Sequence, residues 1–531
     1  MKSSRTIIIS LAALSLVACS DWDDHYESAG GGAQQTLWET LKANPDYSDF
    51  CDVLEATRFF RHHHRTSVSY ARLLQGGQNL TVFAPVNGSF NKDSLLNLTQ
   101  TDKGDSVVEK FFVRNHISAS SSSALPTGVQ VKLLNTKHIT LTDNLAGSVD
   151  VAESNLHAKN GTLHLLGGCL PYQYNLYEGL VNRPDMNEVG KTLRVYDEDY
   201  FDENASISSG LVDGVPVYVD SVVNERNIML NRIGLIQSED SSYIVVAPTN
   251  EAWLKAYNEA RTYFVYDHTV DKRDSLQHFY TTRAMLQDAI FSNTTQGDIT
   301  KELRSPQYDK NEPEYHVFNN PFEPGGILSN VQQKIDLSNG VLYQTHDWSF
   351  TKENTYFQKL RTEAENTWLI TQYNACSFNS RQLSADSISK NAYLDIVPKT
   401  ATSNWTMTFR VNNTLSGKYD VCAVLLPKNI VDSDKPDVKP CKFKAELAYT
   451  DSTGATKTFN CQGTTFKSDP LRVDTIVLAK GFQIPTCGYG LNTVKFAVKL
   501  QCNILARETS KYAREMYLDC IYLRPSTSKD E

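Results

Sequence analysis

Along the first two thirds of the chain, apolar positions follow two rhythms that recur in the same order. Leu37, Leu41, Phe50 and Leu54 stand at helical spacing around Asn44-Pro45-Asp46, which predicts amphipathic helices on either side of a proline-marked break. Leu176-Tyr177-Glu178-Gly179-Leu180, followed by Asn182-Arg183-Pro184-Asp185, repeats the opening, with the leading leucines and the prolines separated by the same interval. Further along, Leu80-Thr81-Val82-Phe83-Ala84-Pro85 and Tyr243-Ile244-Val245-Val246-Ala247-Pro248 read as buried strands rich in β-branched residues. Proline has no N–H for the ladder and ends each strand, and the next Asn, Asn87 or Asn250, is expected to cap the helix that follows. Each copy closes on a hairpin signal, Asn160-Gly161 and Asn339-Gly340, followed by an apolar run.

From about Asn366 the texture changes to short alternating strands: Trp405–Val411, Tyr419–Val424, Val494–Val498 and Tyr517–Leu523. Such spacing predicts an all-β sandwich.

The Ala-Pro-x-Asn strand motif, the central Asn115-His116-Ile117 and the closing Asn-Gly strand together resemble the fasciclin (FAS1) domain. The resemblance spans two copies. The second keeps Ala247-Pro248-Thr249-Asn250 and Asn339-Gly340 but lacks the histidine element around Phe279-Tyr280-Thr281-Thr282, and it carries a long insertion up to Gly326. The expected fold class is therefore α+β: two tandem fasciclin-like domains at 36–172 and 173–350, then an all-β sandwich at 351–531. The Ser416-Gly417-Lys418-Tyr419 entry and the terminal Tyr517-to-Pro525 strand resemble galactose-binding-like and carbohydrate-binding jelly rolls. The fasciclin resemblance implies roles in adhesion, matrix association and ligand binding.

At the N-terminus, Lys2 and Arg5 precede an apolar stretch from Ile7 to Leu16, which is too short for a permanent membrane span. Leu16-Val17-Ala18-Cys19 resembles a bacterial lipobox, so residues 1–19 are expected to be a lipoprotein signal and Cys19 the lipidation site, several acyl chains giving stable anchoring. Ser20-Asp21-Trp22-Asp23-Asp24 resembles the acidic export tag of Bacteroidetes lipoproteins, which places the chain on the outer membrane facing the exterior. Residues 20–35, with Gly30-Gly31-Gly32, form a flexible tether.

A net charge of -9 argues against a nucleic-acid partner, which would need a clustered basic face. With Cys19 acylated, nine of the ten cysteines remain, and none is spaced as CxxC, so free thiols are expected and a zinc site is not. Arg61-His62-His63-His64-Arg65 reads as a surface loop, because adjacent imidazoles do not converge on one ion and the arginines oppose a cation. His116 reads as a hydrogen-bonded core group. No nucleophile elbow, P-loop or dinucleotide fingerprint is present, so neither a catalytic residue nor a cofactor is assigned.

Asp93-Ser94, Asp105-Ser106, Asp274-Ser275, Asp386-Ser387 and Asp474-Thr475 resemble the O-glycosylation acceptors of exported Bacteroidetes proteins, which makes Ser94, Ser106, Ser275, Ser387 and Thr475 candidate modification sites. Trp405, Tyr419 and Tyr489 are candidates for stacking on sugar rings, against a plain core role for each. The expected function is non-catalytic: a surface lipoprotein that binds a glycan or related nutrient, accessory to an outer-membrane transporter and companion lipoproteins of the starch-utilisation type. Cell-surface adhesion is the alternative, and glycan hydrolysis the third reading.

Overall fold

A computed structural model of the chain describes residues 34–61, 64–212, 215–385, 387–431, 438–461 and 465–526, with the backbone alone at residues 61 and 202–224. Two compact units emerge, Met1–Gln173 with Phe201–Asn224, and Tyr174–Tyr200 with Glu225–Glu531. No helix among the described residues is long and apolar enough to cross a membrane.

The first unit is built on a seven-stranded sheet in which Leu80–Pro85 runs parallel to Gly161–Leu166, with antiparallel neighbours outside them. Every residue of both strands is buried, because both faces are covered. Val82 and Ala84 pack under the helices Leu37–Lys42 and Ser48–Ala56, while Phe83 turns to a smaller core with Val131, Leu141 and Leu166. A central strand covered on both sides carries a continuous apolar run in place of alternation.

The second unit repeats this arrangement. Tyr243–Pro248 runs parallel to Gly340–Thr345 in the same register, Tyr243 opposite Gly340 as Leu80 is opposite Gly161, and each outer neighbour, Ile290–Ser292 and Val331–Leu337, is antiparallel. The glycine is demanded by that pairing. Gly161 has φ +145° and a Cβ there would lie 1.8 Å from the Leu80 carbonyl oxygen; at Gly340, with φ +152°, it would lie 2.0 Å from that of Tyr243. Both opening helices carry a capping box, Thr36 with Glu39 and Asn175 with Glu178.

Asn87 and Asn250 depart from the expectation. Neither side chain caps the helix that follows it. Asn87 Oδ1 accepts from Asp49 N at 2.9 Å and its amide donates to Pro45 O at 2.8 Å; Asn250 does the same with Glu188 N and Pro184 O at 2.9 and 2.8 Å. The strand end has been brought against the proline break of the opening segment, whose unpaired backbone groups are the nearer partners.

Two features lie beyond the sequence reading. Asp197–Val212 and Val215–Asn227 pair as a long two-stranded ribbon. In the insertion, Glu302–Arg304 pairs with Val317–Asn319, and Phe318 packs edge-on against Phe291 and Phe350.

The sandwich has two antiparallel sheets. The back sheet orders Cys376–Gln382, Ala392–Pro398, Met516–Pro525, Gly417–Leu426 and Asp474–Ile484, with Leu360–Glu363 also pairing to Met516–Pro525. The front sheet orders Ile370–Asn374, Thr406–Arg410, Phe496–Cys502, Lys442–Thr450 and Thr456–Asn460. Between them lie Trp405, Met407, Phe409, Tyr419, Phe443, Phe496 and Leu518. The same core includes Phe264, Tyr266 and Ala284 from the fasciclin-like part of this unit. Tyr266 donates to Tyr489 O at 2.9 Å, Cys487 N to Val265 O at 2.6 Å, and Lys495 Nζ to Asp267 Oδ2 at 2.6 Å, with Asp267 fully buried. The second fasciclin-like copy and the sandwich thus form one body.

Candidate functional site

On the front sheet, Thr406, Thr408 and Arg410 alternate with the buried Met407 and Phe409, so they point away from the core. Register carries that outer face across the sheet. Thr406, Gln501 and Lys444 make one row with Asn374, and Gln372, Thr408, Lys499, Glu446 and Asn460 make the next. Neighbouring strands are about 4.8 Å apart, so these hydroxyl, amide, ammonium and carboxylate groups form a grid with spacing comparable to the breadth of a pyranose ring. Lys499 and Glu446 form an ion pair at 3.5 Å. Lys444, Glu446, Asn460, Lys499 and Gln501 surround a shallow hollow of about 300 Å³.

The edge of this face carries an exposed aromatic. Trp368, in the short helix Thr367–Leu369 that leads into the edge strand, is 61% exposed, and the Arg410 guanidinium lies 4.7 Å from its ring centroid. An indole left open costs hydrophobic free energy, and an arginine stacked on it pre-orients the ring. Tyr373, 57% exposed, stands on the same edge strand with its ring 5.0 Å from Phe378.

The three aromatics that the sequence put forward are not at this face. Trp405 and Tyr419 are fully buried, the indole N–H of Trp405 donating to Arg514 O at 2.7 Å, and Tyr489 is half-buried with its ring edge-on to Tyr280 and Phe264. They begin or flank strands whose inward positions fill the core. Trp368 was missed because it precedes the alternating segments, where no periodicity marks a face.

In the first unit, His116 is a core connector. Its ring accepts from Leu170 N at Nε2, 3.1 Å, and so donates from Nδ1 to Phe112 O, 2.8 Å. Burial pushes the imidazole down to about 4, with the Phe112 bond opposing. Cys169 Sγ lies 3.7 Å from Nε2, but burial pushes that thiol up to about 11, so the pair is neutral and carries no activated nucleophile. Of the Arg61–Arg65 run, His62 and His63 lie outside the described residues. The rest is not a loop: Arg58–Arg61 and His64–Ser69 pair as strands, and Arg65 Nε meets the buried Asp105 at 2.6 Å, drawn in by a carboxylate with no water to solvate it.

Cys19 lies outside the described residues. Ser94 and Ser275 are exposed on helices, Ser387 on a loop and Thr475 on a strand, whereas Ser106 is half-buried on the helix Asp102–Phe111. The nine described cysteines are free thiols, seven of them buried. One group with metal-ligand spacing occurs among the described residues, Glu363, Asp519 and Cys520, on the back sheet away from the front face.

Residues 46–170 match the fasciclin domain family model. Residues 46–170, in the first unit, thus carry a fasciclin domain, and a β-sandwich stands at the C-terminal end. No curated protein sequence matches the chain. Among solved structures it is similar to a FAS1 domain pair of the insect cell adhesion molecule fasciclin I, at 12% identity over 52% of this chain and 90% of that one, TM-score 0.20. It is also similar to a xylan-binding domain from CBM 22, at 11% identity over 31% and 92%, TM-score 0.20. A family 35 carbohydrate binding module from Clostridium thermocellum matches at 10% identity over 32% and 99%, TM-score 0.19.

Proposed function

We propose that this protein is a non-catalytic, lipid-anchored surface protein that binds a glycan across the outer face of the front sheet of its sandwich. The observation that carries this is the exposed Trp368, held by Arg410 at the edge of a grid of hydrogen-bonding side chains from five strands. Sugars need both: an apolar ring face stacks on an aromatic, and the hydroxyls around it need paired donors and acceptors. Cys19 is the lipid anchor of the proposal, and accessory service to an outer-membrane transporter of the starch-utilisation type is its setting. Exposed Ser94, Ser275, Ser387 and Thr475 are its glycosylation sites, a part that fails if intact mass matches the unmodified lipoprotein.

Affinity electrophoresis of the full chain through a panel of soluble polysaccharides tests the glycan reading. Retardation by at least one of them, weakened about ten-fold or more by Trp368→Ala, is the expected result. Migration unchanged in every gel would end it. The fasciclin domain at residues 46–170 favours a second reading, adhesion through protein contacts. A mild-detergent pull-down from the native membrane separates the two: near-equal recovery of a transporter and companion lipoprotein supports uptake, and recovery of the chain alone supports adhesion.

A further inference from the structure

Charge on the outer face of the front sheet runs against that of the chain. The chain has 61 acidic and 52 basic side chains. Across the outward rows of this face stand Arg410, Lys499 and Lys444, and Glu446 is the one carboxylate among the residues of those rows. Other cations of the same strands are already answered. Lys442 Nζ meets both oxygens of Glu508 at 2.7 Å, and Lys495 is held by the buried Asp267. Lys499 has only the longer contact with Glu446 at 3.5 Å. Lys444 and Arg410 meet no carboxylate among the described residues, and Arg410 Nε is buried with no acceptor.

Register sets the three cations in a line. Arg410 is opposite Ala497, Lys499 is opposite Glu446, and Lys444 is opposite Gln501. Lys499 is two residues from Ala497 and Lys444 two residues from Glu446, so each cation is the diagonal neighbour of the next across three adjacent antiparallel strands. Diagonal neighbours are about 7–8 Å apart. That step is no longer than the Debye length of about 8 Å at physiological ionic strength, so the three act on a bound anion together. One end of the line is the indole of Trp368, on which Arg410 lies, and the other is the hollow of about 300 Å³ between Lys444, Lys499, Gln501, Asn460 and Glu446. Ala497 and Ala448, opposite each other, continue the row of Arg410 and leave the face low on that side.

An uncharged sugar would take hydrogen bonds from these groups and leave their charge unanswered. A carboxylate or sulfate answers both, and charge-assisted hydrogen bonds are roughly twice as strong as neutral ones. Arg410 is suited to this, because a guanidinium can lie face-on to an aromatic ring while its edge presents a fork of donors to an oxyanion.

We propose that the ligand of this face is an acidic polysaccharide, one sugar ring stacking on Trp368 while carboxylate or sulfate groups along the chain meet Arg410, Lys499 and Lys444 in turn. This ligand class presupposes glycan binding at the front sheet. Glu446 opposes the ligand's charge and competes for Lys499, so it limits the affinity. The cations come from three strands far apart in the chain, and no run of basic residues announces them.

Isothermal titration calorimetry on the full chain tests the ligand class, with polygalacturonate, dextran sulfate, uncharged dextran and xylan, and duplex DNA as probes. Polygalacturonate or dextran sulfate should bind at least about ten-fold more tightly than dextran or xylan, and whichever binds tells whether carboxylate or sulfate is the group recognised. That affinity should fall several-fold between about 50 mM and about 500 mM NaCl, where screening shortens the reach of each charge. Lys444→Gln and Lys499→Gln should each weaken it by about two- to five-fold, the range of a single exposed charge pair. Glu446→Gln should strengthen it by a similar factor, an effect that no loss of folding could produce. Xylan or dextran bound as tightly as both polyanions overturns the acidic class and leaves glycan binding standing, whereas no binding of any polysaccharide ends both. Duplex DNA bound as tightly as the acidic polysaccharide overturns it as well, since the attraction would then be to any polyanion. So does an affinity for the polyanion that all three substitutions leave unchanged, which would put its site elsewhere.

Discussion

Asn160 and Asn339 make the same set of hydrogen bonds in the two fasciclin-like sheets. Asn160 Oδ1 accepts from Leu37 N at 2.8 Å while its amide donates to Leu74 O and Gly76 O; Asn339 Oδ1 accepts from Leu176 N at 2.9 Å while its amide donates to Ile236 O and Ser238 O. Each side chain ties the closing hairpin to the start of the opening helix and to the loop between. Replacing either with Ala strands three backbone groups in a buried site, so Asn160→Ala and Asn339→Ala should each cost about 2–4 kcal/mol. Urea unfolding with a probe for each unit checks this; a loss below about 1 kcal/mol would contradict it.

The buried imidazole of His116 gives the first unit a pH dependence of definite sign. Its folded pKa, about 4, lies below the ordinary 6.5, so the unfolded chain takes up the proton first as pH falls. The contribution is complete above about pH 6.5, declines between 6.5 and 4, and levels off below that, with a total on the order of 3 kcal/mol. Denaturant titrations at pH 7.5 and 4.5 should show the loss, and His116→Gln should flatten it.

Asp267 and Lys495 join the second fasciclin-like copy to the sandwich. Burial would raise the Asp267 carboxyl, but hydrogen bonds from Lys495 and Thr269 outweigh it and hold the group below the usual carboxylate range. Lys495→Met leaves an unpaired buried carboxylate and should cost about 3–5 kcal/mol, whereas Asp267→Leu with Lys495→Met should recover much of that. Calorimetry of the second unit distinguishes the two; an equal loss in single and double variants would count against the pairing.

Trp368 and Trp405 offer a contrast in one domain. Trp405→Ala opens a cavity in the core and removes the bond to Arg514 O, a loss of about 3–5 kcal/mol. Trp368→Ala should leave the melting temperature within a degree or two and act on polysaccharide retention alone. Parallel melting and affinity electrophoresis decide it.

What the sequence made legible were features whose cause is local. Asn-Gly pairs marked both closing hairpins because only glycine fits beneath the Leu80 and Tyr243 carbonyls, and alternation at Thr406–Arg410 marked a half-buried strand. The ribbon of Asp197–Val212 and Val215–Asn227 was overlooked although Asp213-Gly214, a recognised turn signal, stands before a run rich in valine in the sequence. The front face and the Glu363–Asp519 cluster were not legible. Their members come from strands far apart in the chain, and only register brings Glu446 beside Lys499 or Glu363 beside Cys520. The shared core was hidden for the same reason, since Phe264 and Tyr266 belong by sequence to the fasciclin-like copy.

The antiparallel seat of Leu360–Glu363 beside Met516–Pro525 also decides how the sandwich meets mechanical tension. A chain held at its N-terminus and pulled by a ligand on the front sheet is stressed along that first strand, where the ladder bonds lie across the line of pull. They then resist in shear, all together, where a peeled strand would lose them one at a time. Optical-trap extension would read that as a single high-force rupture in place of a stepwise one.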